Sequence, residues 1–530
     1  MRSLGFGLVG LARTSTAFAT KSRAICGLAS AVILLLCGCE KDDLLGEGIL
    51  VVGLESNPTN LDPRLSTDAA SSRINDLVFS RLFRKNEAGE PLEDIVEEWE
   101  QSDPTTYRFR IRKGIRFHDG RPLRANDVRY TFQSVMDPSF GSPLRSSYQM
   151  IESIECPGPY TILFRLAEPY ASFLINLDLG ILPGPDGPEE DRTSPPEFVG
   201  SGPFQFVSWT QNHEVRLKAN PDYFDGAPRI QEVRFKIVPD DTVRILELRK
   251  GTIHLLQNDI EPEVLRTLEK EPRFWVEKRQ GTNYAYLGFN LRDPNLRSLK
   301  VRQAIAHAVD RQAIIEHLLG GLAVPATGVL SRLNWAYEPG VQTYAYDPQK
   351  AARLLDEAGY RDPDGPGPAK RFSLTYKTSQ NELRRRIGEA IQSFLAEIGI
   401  DVKMRSYEWG TFFSDIRKGN FQIYTLTWVG IADPDIYYYL FHSQSIPPNG
   451  ANRGAYRSPA VDRLLEVGRV LQDREEGRRV YRRVQKILAR DLPYVSLWHD
   501  VNVVVADRRI RGFVLYPDGH FFSLKDVWIE

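Results

Sequence analysis

Apolar and polar residues alternate along this chain with two different periods, which predict strands in some stretches and helices in others. Residues 107–112 alternate strictly, a pattern typical of a half-exposed strand. The inward-facing side chains of this strand would be Tyr107, Phe109 and Ile111. Residues 71–83 instead carry apolar side chains at the spacing of one helix face. The chain therefore mixes both types of element, as α/β proteins do.

Shorter patterns predict the elements on either side of that strand. An apolar run at residues 49–53 predicts a first buried strand, and residues 115–117 are predicted to continue the strand after a glycine. Asp119 and Gly120 then predict a turn. A helix is predicted to start near Asn126, because an acid follows in its first turn, where the helix dipole favours negative charge.

Residues 421–440 combine a strand, a loop and a helix in one stretch. The apolar run 423–428 predicts a buried strand, the chain breaks at Gly430, and a short helix is predicted to begin at or near Pro434. A strand that delivers a tryptophan to a loop before a helix is a common way to build a ligand site in α/β sheets. Trp428 and the tyrosines that follow it could equally belong to the core, and this stretch alone leaves both interpretations open.

The length and the composition set the broad class. At 530 residues the chain is too long for one compact core, so two or three lobes are expected. The apolar fraction of 42% and the charged fraction of 26% are ordinary for a soluble globular protein.

The first 38 residues differ from everything that follows. They contain four basic residues and no acidic residue, and they end in an apolar run at residues 24–38. This run is shorter than the roughly 20 residues that span a bilayer, so residues 1–38 are predicted to be a signal peptide. The ending Leu-Cys-Gly-Cys resembles the bacterial lipobox, which implies lipidation of Cys39 and a tether at residues 39–48. A signal without a lipid and an uncleaved anchor are the alternatives, and each still places the folded domain outside the cytoplasmic membrane.

The exported domain would retain one unmodified cysteine, Cys156, so no internal disulfide is expected. Removal of four bases and no acids changes the formal charge from −1 to −5. The sequence has no basic patch with interleaved aromatic residues, and nucleic acid is therefore not expected as a partner.

Residues 94–132, which read DIVEEWEQSDPTTYRFRIRKGIRFHDGRPLRANDVRYTF, closely resemble the signature of the family 5 extracellular solute-binding proteins. These proteins are the dipeptide-, oligopeptide- and nickel-binding receptors of ABC importers. Further blocks that resemble the family follow in order at residues 200–204, 218–224, 286–290, 299–310, 351–360 and 492–498. The resemblance therefore covers nearly all of the chain after the N-terminal segment.

The resemblance implies a bilobal α/β fold of the type II periplasmic-binding-protein class, with mixed sheets flanked by helices. Lobe one would hold residues 49–283, with an extra subdomain at about 86–198. Lobe two would hold residues 284–494, and residues 495–530 would return to lobe one. The two chain crossings would form a hinge that closes on a ligand between the lobes.

The function that the resemblance implies is transport. A monomeric extracytoplasmic lipoprotein, attached to the membrane through Cys39, would capture a peptide or another small solute and deliver it to the permease of an ABC importer. A receptor used as a ligand sensor or as a chaperone is the alternative, because a fold does not determine a function.

One position departs from the pattern of the peptide-binding members. In those proteins an aspartate about four residues before the loop proline pairs with the α-ammonium of the peptide. Here that position is Gly430, or Ile431 when counted from Trp428, and neither is an acid. The ligand would then lack the ammonium or would use another acid such as Asp435, while Asp433 is expected to brace the loop.

The predicted ligand-binding residues share a position near this loop or near the hinge. They are Trp428, Val429, Gly430 and Ile431 on the loop, Tyr437 behind it, Tyr284 and Tyr286 before the second lobe, and Asn57 after the first strand. Aromatic side chains would supply contact area, and loop N–H and C=O groups would fix the orientation of the ligand. A place in the core is the alternative for each of these side chains.

Sequence patterns typical of enzymes are missing. Residues 200–202 are Gly-Ser-Gly but do not form a Gly-x-Ser-x-Gly motif, and His118 lies at a predicted turn. The eight histidines do not have the spacing of a zinc site, and no glycine-rich phosphate loop occurs. No catalytic residue, metal site or cofactor is predicted, and an extracytoplasmic enzyme is the less favoured interpretation.

Overall fold

A computed structural model describes residues 43–185, 198–365 and 367–530 of the protein. Residues Leu45–Glu530 form one compact unit, in which Leu45 is fully buried, so packing begins inside the predicted tether. The predicted signal peptide and Cys39 lie outside the described residues. Across the described ranges, no helix is both long enough and apolar enough to cross a membrane.

The strands follow the apolar runs and the alternating stretches of the sequence. In chain order they are β1 (Ile49–Leu54), β2 (Phe83–Lys85), β3 (Pro91–Glu93), β4 (Val96–Asp103), β5 (Thr106–Ile111), β6 (Ile151–Gly158), β7 (Thr161–Leu166), β8 (Phe204–Thr210), β9 (Glu214–Ala219), β10 (Glu232–Ile237), β11 (Leu255–Gln257), β12 (Phe274–Phe289), β13 (Ala323–Pro325), β14 (Phe372–Ser379), β15 (Ile400–Tyr407), β16 (Ile423–Trp428), β17 (Tyr494–Asp507), β18 (Ile510–Arg511) and β19 (Trp528–Ile529).

Most of the helices begin at a capping side chain, such as Asp68, Asp347 or Ser458, that accepts a hydrogen bond from a backbone N–H of the first turn. In chain order they are α1 (Ala69–Val78), α2 (Ala125–Met136), α3 (Asp241–Lys250), α4 (Pro262–Leu268), α5 (Leu299–Ala308), α6 (Arg311–His317), α7 (Pro348–Glu357), α8 (Glu382–Glu397), α9 (Trp409–Lys418), α10 (Ile436–Phe441), α11 (Pro459–Val470) and α12 (Arg474–Asp491). Short 3-10 turns lie at Arg145–Tyr148, Leu174–Asn176, Ser443–Ser445 and Phe522–Asp526.

One large mixed sheet runs through the molecule in the order β15-β14-β16-β12-β17-β11-β1-β10-β9-β8, with β13 paired to β17. Its centre is the antiparallel pair β12 and β17, the longest strands of the sheet, whose register shifts between Gln280 and Tyr284. Such irregularities bend a strand, and this bend lies beside the predicted crossing at residues 283 and 284. A separate four-stranded sheet has the order β4-β5-β7-β6.

Within the described ranges the buried apolar residues form four clusters. Two clusters cover opposite faces of the β12–β16 part of the large sheet, one beneath α5, α7 and α8 and the other beneath α10, α11 and α12. A third cluster surrounds β1, β10 and α1. The fourth lies between the four-stranded sheet and α2. The site described below lies on the face of the large sheet that α10 covers.

Several predicted elements are confirmed. The alternating stretch forms β5, and Tyr107, Phe109 and Ile111 are all buried on its inner side. The run at residues 49–53 forms β1, Asp119 and Gly120 lie in a turn, and the run at residues 423–428 forms β16.

Two predicted boundaries are wrong. The helix predicted at residues 71–83 is α1 but ends at Val78, because Phe79 has an extended backbone and the chain enters β2 at Phe83. Residues 115–117 do not extend β5, and the only bridge recorded there joins Arg116 to Pro122. A glycine with a positive φ of 88°, Gly114, turns the chain away after β5.

Candidate functional site

Strand β16 places its side chains alternately on the two faces of the sheet. Trp428 pairs with Tyr284 and Leu426 pairs with Tyr286 across the antiparallel ladder with β12. Directly opposed residues share a face, so Tyr424, at the next alternate position of β16, lies on the same face. The tryptophan at the end of β16 therefore continues a row of tyrosines that is otherwise buried.

The loop after β16 is held by hydrogen bonds to its backbone. Gly430 has a φ of 66°, a conformation that side chains disfavour, and its N–H donates to Asn283 Oδ1 at 3.0 Å. Asn334 Nδ2 donates to the carbonyl of Ala432 at 2.7 Å. The loop is thus fixed from two neighbouring segments, which leaves the side chain of Val429 at its tip 53% exposed.

Trp428 belongs to a group of apolar side chains that reaches the surface. We call Trp409, Phe413, Trp428, Val429 and Tyr439 the site wall. Trp409 stacks on Phe413 with ring centroids 5.5 Å apart, and Tyr439 meets Trp428 edge-on at 6.2 Å. Trp409 and Tyr439 are 54% and 39% exposed. Phe413 and Trp428 both lie against the guanidinium of Arg453, and partly exposed apolar side chains grouped in this way are a candidate place for a ligand or a partner to bind.

A buried arginine lies behind the site wall. The guanidinium of Arg453 lies 4.7 Å from the ring centroid of Trp428 and 5.1 Å from that of Phe413. Its Nη1 donates to Tyr286 Oη at 3.1 Å, and the residue is only 8% exposed. Within the described ranges no carboxylate lies within 4 Å of this guanidinium. Buried charges are usually paired, so this unpaired cation is an unusual feature.

The acids of the loop are already engaged. Ser172 Oγ donates to Asp433 Oδ1 at 2.6 Å, and the N–H of Asp435 donates to the same oxygen at 2.8 Å. Burial raises the pKa of Asp433 to about 6. Asp433 thus braces the loop, as expected from the sequence.

Asp435 lies between a tyrosine and an arginine. Tyr170 Oη donates to Asp435 Oδ2 at 2.7 Å, and Arg469 Nε lies 3.0 Å from Asp435 Oδ1. The guanidinium of Arg469 also lies 4.1 Å from the ring centroid of Tyr438. An ammonium group that used Asp435 would have to compete with this ion pair.

The predicted site residues occupy three different places. Trp428 and Val429 are in the site wall, with Gly430 on the same loop, whereas Ile431 is buried and lines a narrow gap of about 20 Å³. The other walls of this gap include Gly89 and Asp518. The loop therefore contacts segments at both ends of the chain.

The predicted tyrosines lie deeper than the loop. Tyr284, Tyr286 and Tyr437 are at most 1% exposed. Tyr286 is enclosed by other rings, whereas Tyr284 and Tyr437 line a cavity of about 370 Å³ beneath α12. None of residues 428–431 lines that cavity. Tyr437 and Tyr284 thus face this cavity, although Tyr284 pairs with Trp428 across the ladder and Tyr286 stacks near Trp428 with ring centroids 6.5 Å apart.

Asn57 has a bracing position in the structure. Its Oδ1 accepts hydrogen bonds from the N–H of Asn212 at 3.0 Å and from Trp209 Nε1 at 3.4 Å, and its Nδ2 donates to the carbonyl of Pro58. It therefore fastens the loop after β1 to the hairpin of β8 and β9. A ligand-binding role for Asn57 stays a prediction.

His118 is held by the backbone of a neighbouring segment. Its Nδ1 accepts from the N–H of Gly200 at 3.3 Å, so its Nε2 donates to the carbonyl of Gly202 at 3.1 Å. Burial lowers its pKa to about 4. In the part of the chain that the structure describes, no three or more His, Cys, Asp or Glu side chains form a group that could hold a metal ion.

Sequence patterns did not reveal Arg453, Arg469, Tyr170 or Trp409. Each lies outside the strand–loop–helix stretch at residues 421–440, and only the fold brings it to the loop. The helical spacing puts Trp409 on the same face as Phe412 and Ile416, so the pattern predicts a buried side chain, and only the structure shows that Trp409 is 54% exposed.

The fold and the site define a binding protein of the type II periplasmic class. The chain belongs to family 5 of the bacterial extracellular solute-binding proteins, because the model of that family's middle region matches residues 90–448. The oligopeptide-binding protein AppA of Bacillus subtilis is 30% identical over 91% of this chain and 92% of its own length. The dipeptide-binding protein of Escherichia coli is 28% identical over 91% and 94%.

Solved structures show the same fold. AppA of Bacillus subtilis in complex with a nonapeptide superimposes with a TM-score of 0.82 at 30% identity, covering 91% of this chain and 99% of AppA. NikZ of Campylobacter jejuni in complex with Ni(L-His) has a TM-score of 0.82 at 26% identity, with 91% and 99% covered. The ligands of these relatives range from long peptides to a metal chelate, so membership of the family leaves the ligand open.

Proposed function

We propose that this protein captures a peptide or another small solute between two lobes and delivers it to the permease of an ABC importer. The observation that carries the proposal is the exposed site wall around the end of β16, beside a loop that lies against Gly89 and Asp518. Exposed aromatic surface beside fixed backbone groups suits a ligand with apolar side chains and amide groups. In this proposal the protein binds the solute and does not catalyse a reaction on it.

We place the lobe borders near residues 283 and 494, the first inside β12 at its register shift with β17 and the second where the chain enters β17. The hydrogen bonds from Ser172 to Asp433 and from Tyr170 to Asp435 join the proposed lobes outside the ligand site. Opening would break these contacts, so they favour the closed form even before a ligand binds.

The ligand group beside Trp428 would not be an ammonium. Asp433 and Asp435 are engaged, whereas Arg453 places a positive charge directly behind the tryptophan ring. In a site of low polarity a fixed cation repels another cation strongly. Trp428, Val429, Gly430 and Ile431 would therefore contact a neutral or acidic part of the ligand, while Tyr284, Tyr286, Tyr437 and Asn57 would support the site from behind.

The first test is direct. The chain beginning after Cys39 is purified without refolding and examined by native mass spectrometry, followed by calorimetry with trialanine and N-acetyl-trialanine. A retained mass released by denaturation, or saturable binding with preference for the acetylated peptide, is the expected result. The absence of any retained mass, together with no binding of either peptide or of a broader panel of small solutes, would remove solute binding as the function.

Localisation is a separate proposal. Cys39 would carry the lipid that anchors the monomeric domain to a membrane, in the periplasm or on the extracellular face. The expected result is that the full chain enters the membrane fraction and incorporates labelled palmitate, whereas Cys39→Ser does neither. Failure of the full chain to incorporate labelled palmitate, or equal incorporation by Cys39→Ser, would contradict lipid anchoring through Cys39.

A further inference from the structure

The cavity of about 370 Å³ beneath α12 has the size of a small-molecule site but is separate from the loop described above. It lies between the tyrosine-bearing face of β12 and β17, the segment after β13, and the segment before α7. Most of its wall is apolar or aromatic, with Val329, Tyr344, Phe441, Leu488 and Leu492 among its lining residues.

Arg311 supplies the positive charge of this cavity. Its Nη1 donates to the carbonyl of Ser496 at 3.2 Å and its Nη2 to the carbonyl of Tyr344. Both acceptors are uncharged, and no carboxylate lies within 4 Å of the guanidinium in the described ranges. Burial lowers the pKa of Arg311, and Tyr284 and Asp310 only partly offset this effect.

The acid next to Arg311 has another partner. Asp310 is the only acidic residue among the described residues that line the cavity, and its Oδ1 accepts a hydrogen bond from the N–H of Ala313 at 2.9 Å. It caps α6 in this way. The guanidinium thus keeps N–H donors that the two carbonyls do not use, beside an apolar volume large enough for a ligand.

We propose that this cavity is a second binding site, which takes a small monocarboxylate with an apolar body and pairs its carboxylate with Arg311. Arginine binds carboxylates through two parallel hydrogen bonds, and such charge-assisted bonds are among the strongest in proteins. The rings and aliphatic side chains of the wall would bury the apolar body. This proposal does not depend on the nature of the ligand at the site wall.

The test uses 3-phenylpropionate as the probe and 3-phenylpropylamine as a probe with the same body and the opposite charge. Calorimetry on the mature chain is expected to show saturable binding of the acid and none of the amine. Arg311→Met should lower the affinity for 3-phenylpropionate at least tenfold. Arg457→Met, at an exposed position, should leave this affinity unchanged.

A second variant covers the case in which loss of the Arg311 hydrogen bonds unfolds the protein. A Cβ added at Gly328 would meet only Tyr437 Oη at an ordinary 3.6 Å, so Gly328→Leu can fill the cavity with little strain. Gly328→Leu should abolish binding of 3-phenylpropionate. Binding of the retained ligand or of a peptide at the site wall should stay unchanged.

Equal binding of both probes, or acid binding that survives Gly328→Leu, would overturn the proposal. If the unmodified protein binds 3-phenylpropionate but neither retains a ligand nor binds any peptide or other solute, only the transport function is contradicted. The two proposals can therefore fail separately.

Discussion

The two faces of the β12–β16 ladder differ in chemistry although they share the same backbone. One face carries Ala285, Leu287 and Ile423, which pack in a mainly apolar cluster beneath helices. Its polar side chains in the ladder are Thr425 and Thr427, and Thr425 Oγ1 shares a hydrogen bond of 2.6 Å with Tyr376 Oη. The other face carries Tyr284, Tyr286 and Trp428, with hydroxyl groups, an indole N–H and the buried Arg453 beside them. The period of two in a strand makes this separation possible.

This difference assigns the stability of the protein mainly to the first face and ligand recognition mainly to the second. Apolar side chains without polar atoms contribute through burial alone, so the first face should determine how stable the protein is. The second face buries hydroxyl groups and a charge. The hydrogen bonds of these groups depend on neighbouring side chains, and a bound ligand can therefore change them. Four variants, from the largest expected effect to the smallest, can test this division.

Leu287→Ala should have the largest effect and should act on stability alone. Leu287 is fully buried, and removing its side chain leaves a cavity that typically costs about 3 kcal/mol. Urea denaturation should show this loss, while Leu92→Ala, at a position 51% exposed, should change stability by less than about 0.5 kcal/mol. A changed ligand preference in Leu287→Ala would contradict the division between the two faces.

Trp428→Ala should instead act mainly on binding. The tryptophan supplies a large part of the site wall. Its loss should therefore lower the affinity for the retained ligand about 30-fold, or by roughly 2 kcal/mol. Calorimetry against Trp99→Ala, an exposed tryptophan on β4, provides the comparison. Equal affinities for the two variants would show that Trp428 belongs to the core.

Asp433→Asn should change how stability depends on pH. Because burial raises the pKa of Asp433 from 3.8 to about 6, the folded protein binds this proton more tightly than the unfolded chain does. The contribution of Asp433 is therefore present at low pH and is lost as pH rises from about 4 to about 6. Between pH 4.5 and 6.5 the wild type should lose about 2 kcal/mol relative to the variant.

Thermal denaturation at several pH values measures this difference. Asp222→Asn, at an exposed position, serves as the control and should follow the wild type. Parallel curves for wild type and Asp433→Asn would mean that Asp433 titrates as an ordinary exposed acid.

Arg453→Met should have the smallest effect and should act on selectivity. Methionine fills similar space without charge, so the preference for N-acetyl-trialanine over trialanine should fall about threefold. Arg457→Met should leave the ratio of the two affinities unchanged. A ratio that does not move in Arg453→Met would mean that the buried cation stabilises the wall but does not select the ligand.

Part of the site could be predicted from sequence because its elements are local. The apolar run before Trp428 predicts β16, and Gly430 and Pro434 predict the break and the helix that follow. The sequence predicted Tyr437 behind this loop and Tyr284 before the second lobe, and both side chains line the cavity beneath α12. Which face of a helix or which cavity a tyrosine reaches depends on packing partners that have no local signal.

The order of residues alone determined the kinds of element, the family signature and the missing acid at residues 430 and 431, because each depends on neighbours within a few positions. Only the tertiary structure decided that Asp435 is paired with Arg469, that Arg453 lies unpaired behind Trp428, and that Arg311 faces a cavity. Charges acquire their effect from burial and from partners distant in the chain. Those properties exist only once the chain has folded.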